Sequence, residues 1–250
     1  MTTPRRALVT GASRGIGRAV AMALAESGYQ VVGAARTAGH ADGQTELRTI
    51  RCDMADLDAV RAMPAQAEDQ AGGPFDVLVH CAGISRPGRA TELPLDDWEE
   101  SMRVNVTSAL LLAQHCVPGM VERRWGRIVT IGSLYSRMGA RFAGAYAASK
   151  HALLGLTRVL AIELATKGVT ANCVIPGWTD TELVRNEAEN VAAAQGYDAN
   201  EAIRRFLRMQ PLGRMVQPAE VGALVAFLCS DAAAAITGQA INIDGGSLQS

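Results

Sequence analysis

The stretch RALVTGASRGIG, residues 6–17, places three closely spaced glycines directly after a short apolar run. Arg6–Thr10 predicts a β-strand, and Ile16–Ser27 predicts the helix that follows it. Gly11, Gly15 and Gly17 permit a tight turn through which backbone N–H groups and the helix N-terminus approach a pyrophosphate. No Gly-Lys-Ser or Gly-Lys-Thr closes the loop, which argues against a P-loop. The stretch therefore favours a dinucleotide site, with a plain capped turn as the alternative.

Short β-branched runs alternate with Ala- and Leu-rich helical patterns along the rest of the chain. The further predicted strands are Gln30–Ala34, Leu47–Cys52, Phe75–His80, Gly126–Ile131, Thr170–Ile175 and Ala240–Ile243. The further predicted helices are Trp98–Pro118, Ala145–Thr166 and Pro218–Cys229. Such alternation implies right-handed βαβ units with a parallel sheet. We therefore predict an α/β fold: one Rossmann-type doubly wound parallel sheet of about seven strands with helices on both faces, forming a single domain over residues 1–250.

Composition excludes several classes of protein. The 250 residues carry 24 Lys and Arg against 25 Asp and Glu, so the basic excess typical of a nucleic-acid binder is missing. The five cysteines form no CxxC and the four histidines show no paired-ligand spacing, which predicts reduced thiols, a cytoplasmic location and no metal site. The uncharged run Val104–Val121 contains several polar residues, which favours a buried core helix over a membrane span.

The end of the second predicted strand indicates which dinucleotide is bound. NAD sites place an acidic residue there to bind the ribose hydroxyls, whereas this chain has Arg36 and no acid nearby. Arg14 in the glycine loop supplies a second guanidinium, and two guanidinium groups suit a 2′-phosphate. The sequence therefore predicts NADP(H), with a solvated Arg36 as the alternative.

Candidate chemistry lies downstream of the fifth predicted strand. Tyr146 and Lys150 are four residues apart at the start of a predicted helix, so their side chains share one face. A neighbouring lysine favours the phenolate and would lower the pKa of the tyrosine, which makes it a usable general acid or base. Ser133 follows the fifth strand, where its hydroxyl can polarise a carbonyl. Asn105 lies in an apolar helix and needs a water or backbone partner, or a helix–helix hydrogen bond.

Together these stretches resemble the short-chain dehydrogenase/reductase family over essentially the whole chain. The matching segments are TGASRGIG (10–17), CDM (52–54), CAG (81–83), RVNV (103–106), GRIVTIGS (126–133), YAASK (146–150), PGWTDT (176–181) and DGG (244–246). The resemblance implies that Tyr146 exchanges the proton, Ser133 orients the carbonyl and Lys150 holds the nicotinamide ribose. It further implies that Asn105 anchors a proton-relay water.

The resemblance also implies a set of cofactor contacts. Asp53 and Met54 would face the adenine, and Gly83 the adenosine ribose. The residues that would line the nicotinamide and pyrophosphate are Ile175, Pro176, Gly177, Thr179 and Thr181. The complete set expected at the cofactor is Gly11, Ser13, Arg14, Gly15, Ile16, Gly17, Arg36, Asp53, Met54, Cys81, Ala82, Gly83, Tyr146, Lys150, Pro176, Gly177, Thr179 and Thr181.

Two departures from the family pattern concern the cofactor region. The family usually has Asn-Ala-Gly after the fourth strand, whereas this chain has Cys81-Ala82-Gly83, so a hydrogen bond that supports the sheet is open to question. The segment between Arg36 and Cys52 is short, which predicts a shortened or missing helix and a loop at Gly39–Gly43 near the adenosine end. A more mobile Arg36 would weaken the NADP preference.

The segment 178–215, which we call the lid segment, is the expected cover of the substrate. Its apolar residues, and further apolar residues expected on the opposite wall, suggest a cleft with few charges. Such a cleft favours a hydrophobic ketone or secondary alcohol as the substrate. The expected substrate contacts are Leu134, Met138, Phe142, Trp178 and Leu183. Arginines 204, 205 and 208 would meet a phosphopantetheine, coenzyme A or an acidic carrier protein, unless they form only a solvated helix face.

The pattern resembles 3-oxoacyl-carrier-protein reductases and the ketoreductases of aromatic polyketide synthesis. We therefore expect an NADPH-dependent reductase of a ketone, such as a 3-oxoacyl thioester, and by resemblance a homotetramer. An oxidative secondary alcohol or diol dehydrogenase is the alternative, although no acid stands at position 35 or 36 to support NAD. A non-catalytic dinucleotide-binding regulator is a further alternative, but such a protein should have lost one of Ser133, Tyr146 and Lys150.

Overall fold

The computed structural model describes residues 4–37 and 47–249, and a seven-stranded sheet organises them. All its strand pairs are parallel, in the order β3-β2-β1-β4-β5-β6-β7. The strands are β1 (Arg6–Thr10), β2 (Gln30–Ala35), β3 (Arg48–Arg51), β4 (Val77–His80), β5 (Gly126–Ile131), β6 (Val169–Pro176) and β7 (Ala240–Ile243). The predicted fold class is confirmed, and strand ends differ from the prediction by at most two residues.

Helices cover both faces of this sheet. The α-helices are α1 (Gly15–Glu26), α2 (Leu57–Ala71), α3 (Leu95–Met102), α4 (Ser108–Glu122), α5 (Gly144–Leu164), α6 (Glu182–Gln195), α7 (Ala199–Arg208) and α8 (Pro218–Cys229). Helices α1 and α8 pack together on one face, and α2, α4 and α5 lie on the other.

Alternation along the strands divides the interior into two cores. In β1, Leu8 contributes to the core under α2 and α4, whereas Val9 contributes to the core under α1 and α8. Leu8 is paired in register with Val32 of β2 and Leu78 of β4, so apolar side chains line up across the sheet. Strands buried on both faces are typical of parallel sheets and explain why these segments are continuously apolar.

Helix α2 was not predicted. Its N-terminus is capped by Asp56, whose carboxylate accepts from the backbone N–H groups of Asp58 and Ala59 at 3.1 and 3.0 Å. Its C-terminus ends at Gly72, which has a left-handed backbone with φ of 75°. The composition of the helix is polar and Pro64 lies inside it, two features that hide a helix from a sequence reading. Helices α6 and α7, which fill most of the lid segment, were likewise not predicted.

The predicted helix Trp98–Pro118 is part of a longer helical stretch. It runs over 28 residues, Leu95–Glu122, and its middle is a π-helical turn, Arg103–Thr107. By length and composition alone this stretch could cross a membrane. Instead, its residues Leu112, Cys116 and Met120 are buried against the sheet, so the prediction of a core helix is confirmed.

The site is positioned by the order of the strands. β1 lies between β2 and β4, so successive crossovers leave β1 in opposite directions and open a crevice at the carboxyl ends of β1 and β4. Ligands of doubly wound sheets bind at such a switch point. The glycine loop and the Cys81–Gly83 turn follow these two strands. The predicted loop at Gly39–Gly43 lies outside the described residues.

Candidate active site

A cleft of about 1330 Å³ lies at the carboxyl ends of the strands. Its lining includes every residue expected at the cofactor, namely Gly11, Ser13, Arg14, Gly15, Ile16, Gly17, Arg36, Asp53, Met54, Cys81, Ala82, Gly83, Tyr146, Lys150, Pro176, Gly177, Thr179 and Thr181. Ser133 lines the same cleft. The sequence therefore identified positions that the fold brings to one cavity from six different strand ends.

Two glycines of the glycine loop are required by close backbone contacts. Gly11 has a φ of +66°, and a Cβ atom there would lie 3.0 Å from the backbone N of Ala82. A Cβ atom on Gly17 would collide with the backbone O of Gly11 at 2.2 Å. These contacts hold the loop against both α1 and the turn after β4, and they leave a cradle that only glycines permit.

Thr10 supports the turn in which the family asparagine is replaced. Its Oγ1 accepts hydrogen bonds from the backbone N–H groups of Cys81 at 3.1 Å and Ala82 at 3.0 Å. It also lies 3.1 Å from Nδ1 of the buried His80. Because the hydroxyl already accepts twice, its own proton goes to Nδ1, which places the ring proton of His80 on Nε2. The backbone of Cys81–Gly83 thus stays held in place without an asparagine side chain at position 81.

The two arginines expected at a 2′-phosphate have different surroundings. Arg36 follows β2, is exposed and lines the cleft. Arg14 lines the cleft as well, but its guanidinium forms a salt bridge with Glu182 at the start of α6. This salt bridge is exposed and joins the glycine loop to the lid segment. Arg18, on the first turns of α1, also lines the cleft and was not singled out from the sequence.

Tyr146, Lys150 and Ser133 meet at the inner end of the cleft. The ammonium nitrogen of Lys150 lies 5.6 Å from the centre of the Tyr146 ring and donates a hydrogen bond to the backbone O of Ile131 at 2.7 Å. Ser133 caps a short helical turn by accepting from the N–H of Tyr135 at 3.2 Å. Its hydroxyl also hydrogen bonds with the Tyr146 phenol.

Burial controls the protonation of these groups. It raises the pKa of Tyr146 to about 12, and the hydrogen bond with Ser133 only partly opposes that effect. Burial also lowers the pKa of Lys150 to about 8. Desolvation of the buried phenol therefore outweighs the expected lowering of the Tyr146 pKa by Lys150. Both groups favour their neutral forms relative to free side chains.

Asn105 is buried behind the cleft and does not line it. Its side chain bonds to the backbone of Ile84 and donates to the Ser149 hydroxyl at 2.8 Å. Asn105 therefore has both a backbone partner and a hydrogen bond to a neighbouring helix, two of the partners expected from the sequence. Gly83 lies between Asn105 and Lys150, since a Cβ atom on it would approach Oδ1 and Nζ to 3.4 and 3.3 Å.

Aromatic side chains continue the cleft away from Tyr146. Tyr135 packs edge-on against Tyr146 with ring centres 6.1 Å apart, and also against Trp178 at 6.4 Å. Trp178 stacks on Phe206 of α7 at 3.8 Å. Of the expected substrate contacts, Leu134, Trp178 and Leu183 line the cleft. Met138 and Phe142 do not, because they lie on the exposed loop after the short helical turn, where the Phe142 carbonyl bonds to Gly88.

Comparison with known proteins places this geometry in a family. The family profile described as enoyl-(acyl carrier protein) reductase matches residues 11–247. The chain belongs to the short-chain dehydrogenase/reductase family. It is 36% identical to the D-β-hydroxybutyrate dehydrogenase of Cupriavidus necator, over 98% of each chain. It is 34% identical to the 3-oxoacyl-[acyl-carrier-protein] reductase of Vibrio cholerae, over 96% of each chain.

A solved member of the family shares the whole fold. The crystal structure of a variant of the actinorhodin polyketide ketoreductase with NADPH is similar with a TM-score of 0.90 and 35% identity. The match covers 99% of both chains. The sequence resemblance to reductases of this family is therefore confirmed across the chain.

Besides Arg18, residues of the cleft region that the sequence did not indicate include Tyr135, Glu187 and Gln210. Tyr135 and Glu187 both line the cleft. Gln210 is buried, and its Oε1 accepts a hydrogen bond from the backbone N–H of Trp178 at 2.9 Å. Tyr135 stands two positions after Ser133, which is a usable signal. Glu187 and Gln210 belong to the lid segment, where position relative to the cleft depends on how α6 and α7 pack. The cleft is consequently less free of charge than its apolar sequence suggested.

Proposed function

We propose that this protein is an NADPH-dependent reductase that reduces a ketone to a secondary alcohol. The observation that carries the proposal is the meeting of Ser133, Tyr146 and Lys150 beside the glycine loop in one cleft. A dinucleotide cradle and an acid–base group within the same cavity are what hydride transfer to a carbonyl requires.

The residues of the cleft fit the cofactor. The close contacts of Gly11 and Gly17 leave backbone N–H groups and the N-terminus of α1 available for a pyrophosphate. Arg36, together with Arg14, suits the 2′-phosphate, and no acidic side chain occupies the end of β2 in the described residues. Asp53 and Met54 line the adenine end of the cleft. Bound NADPH supplies the hydride.

In the mechanism that we propose, Tyr146 gives the proton to the carbonyl oxygen. Its raised pKa keeps the phenol protonated at neutral pH, as proton donation requires. The Ser133 hydroxyl, already bonded to the phenol, orients the same carbonyl oxygen. Lys150 holds the nicotinamide ribose with its ammonium group, which the Ile131 carbonyl positions. Asn105 fixes the backbone of Ile84 and the adjacent π-helical turn, where a relay water would be anchored.

The substrate that we propose is a ketone of moderate size, such as a 3-oxoacyl thioester, covered by the lid segment 178–215. The reductase among the relatives is named for a carrier-protein thioester, and the dehydrogenase for β-hydroxybutyrate. Arginines 204, 205 and 208 would meet the phosphate groups of a carrier or of coenzyme A, and all three already bond to Glu201. One carboxylate leaves two excess positive charges on that surface of α7.

Oxidation of a secondary alcohol is the second candidate function. The observation that favours it is the 36% identity to a hydroxybutyrate dehydrogenase. Oxidation requires Tyr146 to accept a proton, and only its phenolate can do so. Because the pKa of Tyr146 is raised, the phenolate forms only at high pH. Reduction is therefore the better-supported direction near neutrality.

We further propose a cytoplasmic homotetramer. The five cysteines of the chain are all free thiols, four of them buried. Exposed apolar side chains on α4 and α5 include Leu110, Val159 and Ile162, the last 80% exposed. Burial of such side chains between subunits stabilises an assembly. Sedimentation at micromolar concentration tests this proposal, and a monomer there would overturn it.

The function is tested by steady-state assay of the purified protein in both directions. Acetoacetyl-CoA and ethyl acetoacetate are offered with NADPH or NADH, and the corresponding hydroxy compounds with NADP⁺ or NAD⁺. We expect oxidation of NADPH by at least one ketone, with NADH much less effective. Turnover confined to the alcohols and NAD⁺ would establish the oxidative function instead, and no turnover of any pair would reject both.

A further inference from the structure

Glu187 of α6 is one of the acidic side chains that line the cleft. Helix α6 packs Val184, Ala188 and Ala192 against Trp178 and Phe206. Glu187 stands beside Ala188 on this helix, is half-buried and lines the cleft. Its carboxylate therefore belongs to the wall that a substrate would touch, although the residues next to it on the helix are mostly apolar.

The other charged side chains of the first two turns of α6 are paired. Glu182 binds Arg14 of the glycine loop, and Arg185 binds Asp180 at 2.6 Å. Glu187 has neither a hydrogen bond nor an ion pair with any residue in the described ranges. Lys150, the nearest buried cation to the reacting centre, donates to the Ile131 carbonyl instead. A half-buried carboxylate without a partner costs free energy unless a ligand provides one.

Glu187 lies close to the reacting centre as well. Burial raises the pKa of both Tyr135 and Tyr146, and the charge of Glu187 adds a smaller effect in the same direction. The ring centres of these two phenols are 6.1 Å apart. Tyr135, Tyr146 and Glu187 line the same cleft, so a substrate with its carbonyl at Tyr146 would carry its substituents along Tyr135 and past the Glu187 carboxylate. The wall on that side combines aromatic surface with one hydrogen-bond acceptor.

We propose that Glu187 determines the substrate specificity of the cleft, by accepting a hydrogen bond from an ammonium or hydroxyl group of the ketone and by repelling ketones that carry a carboxylate. The inference rests on the proposed function only in taking a ketone as the substrate. It assigns this chain to ketones with a hydrogen-bond donor, and it sets the chain apart from an enzyme that acts on a free hydroxy acid.

The test uses three phenylacetones with the same skeleton and a para methyl, aminomethyl or carboxylate group. Rates are measured with NADPH for the wild-type protein and for Glu187→Gln, which keeps the shape of the side chain and removes its charge. Glu189→Gln is the matched control, because Glu189 is exposed on the same helix. Binding of each ketone is also measured on the protein loaded with NADP⁺, where reduction does not occur.

We expect the wild-type protein to prefer the aminomethyl over the carboxylate ketone at least about tenfold in kcat/KM and in affinity, which corresponds to about 1.4 kcal/mol. Glu187→Gln should reduce this ratio to within about threefold, whereas Glu189→Gln should leave the ratio unchanged. A ratio that is the same in the wild-type protein and Glu187→Gln overturns the inference, as does failure of the aminomethyl ketone to bind.

The two proposals fail in distinguishable ways. If none of the ketones is reduced but binding still shows a ratio that depends on Glu187, the proposed function fails for these ketones and the specificity inference stands. If the methyl ketone is reduced with NADPH and the ratio does not depend on Glu187, the proposed function stands and the specificity inference fails.

Discussion

Asn105 and Ile84 are joined by two hydrogen bonds. The side-chain Oδ1 of Asn105 accepts from the backbone N–H of Ile84 at 2.9 Å, and its Nδ2 donates to the backbone O of Ile84 at 3.0 Å. The amide thus acts on Ile84 as a neighbouring strand would, and it fixes the chain just after the Cys81–Gly83 turn. A residue of the π-helical turn therefore shapes the floor of the cleft without lining it.

Replacement of Asn105 should lower the free energy of unfolding of the protein. Asn105→Ala leaves the N–H and C=O groups of Ile84 without their side-chain partner, and we expect a loss of about 2–4 kcal/mol in the free energy of unfolding. Asn190→Ala on the exposed side of α6 is the control and should change stability by less than about 0.5 kcal/mol. Urea unfolding measures both, and equal midpoints for the two variants would contradict the structural role of Asn105.

The two tyrosines at the inner end of the cleft should respond differently to removal of their hydroxyl groups. Tyr146→Phe removes the proton donor and should lower kcat about 10²–10⁴-fold while NADPH binding is retained. Tyr135→Phe removes only a hydroxyl group and keeps the ring that packs edge-on against Tyr146, so it should lower kcat by less than about tenfold. Steady-state rates and NADPH titration separate the two effects. A comparable loss in both variants would argue that Tyr146 is not the proton donor.

Arg36 should decide between the two dinucleotides. Arg36→Asp replaces the cation after β2 by an acid that repels a 2′-phosphate and favours ribose hydroxyls. We expect the affinity for NADPH to fall about 10–100-fold, since a charge-assisted hydrogen bond contributes about 1.5–3 kcal/mol, while NADH binding is kept or improved. Arg61→Asp makes the same charge change at an exposed position of α2 that does not line the cleft. Fluorescence titration with both cofactors gives the result, and an unchanged preference would mean that Arg36 does not contact the phosphate.

Lys150 should make the stability of the cofactor-free protein depend on pH. Burial lowers its pKa from 10.5 to about 8, so between these values the unfolded chain binds more protons than the folded protein. The free energy of unfolding therefore rises with pH across that window. Relative to Lys150→Met, the wild-type protein should gain about 2 kcal/mol between pH 7 and pH 10. Urea unfolding at both pH values checks the difference, and parallel pH profiles would rule out a desolvated ammonium.

Local spacing was enough to predict much of the fold and of the site. The glycine loop, the alternation of strands and helices and the four-residue interval from Tyr146 to Lys150 all act within one or two elements. Their consequences follow from turn geometry and helix periodicity alone. For the same reason α8 and β7 begin and end at the predicted residues. The polar helix α2 is the exception, because its buried residues Val60, Met63 and Ala67 are spaced as in a helix among many charges.

The sequence by itself determined the parallel sheet, the dinucleotide loop and the residues of the acid–base group. The tertiary structure alone decided that Asn105 pairs with Ile84 and Ser149, that Arg14 meets Glu182, and that Glu187 faces the cleft. It also decided that burial, not the neighbouring lysine, dominates the pKa of Tyr146. These features join residues distant in the chain or depend on how much water a side chain loses. Neither the contacts between distant residues nor the loss of water is encoded in local spacing. Both arise only when helices from separate crossovers pack over the same strand ends.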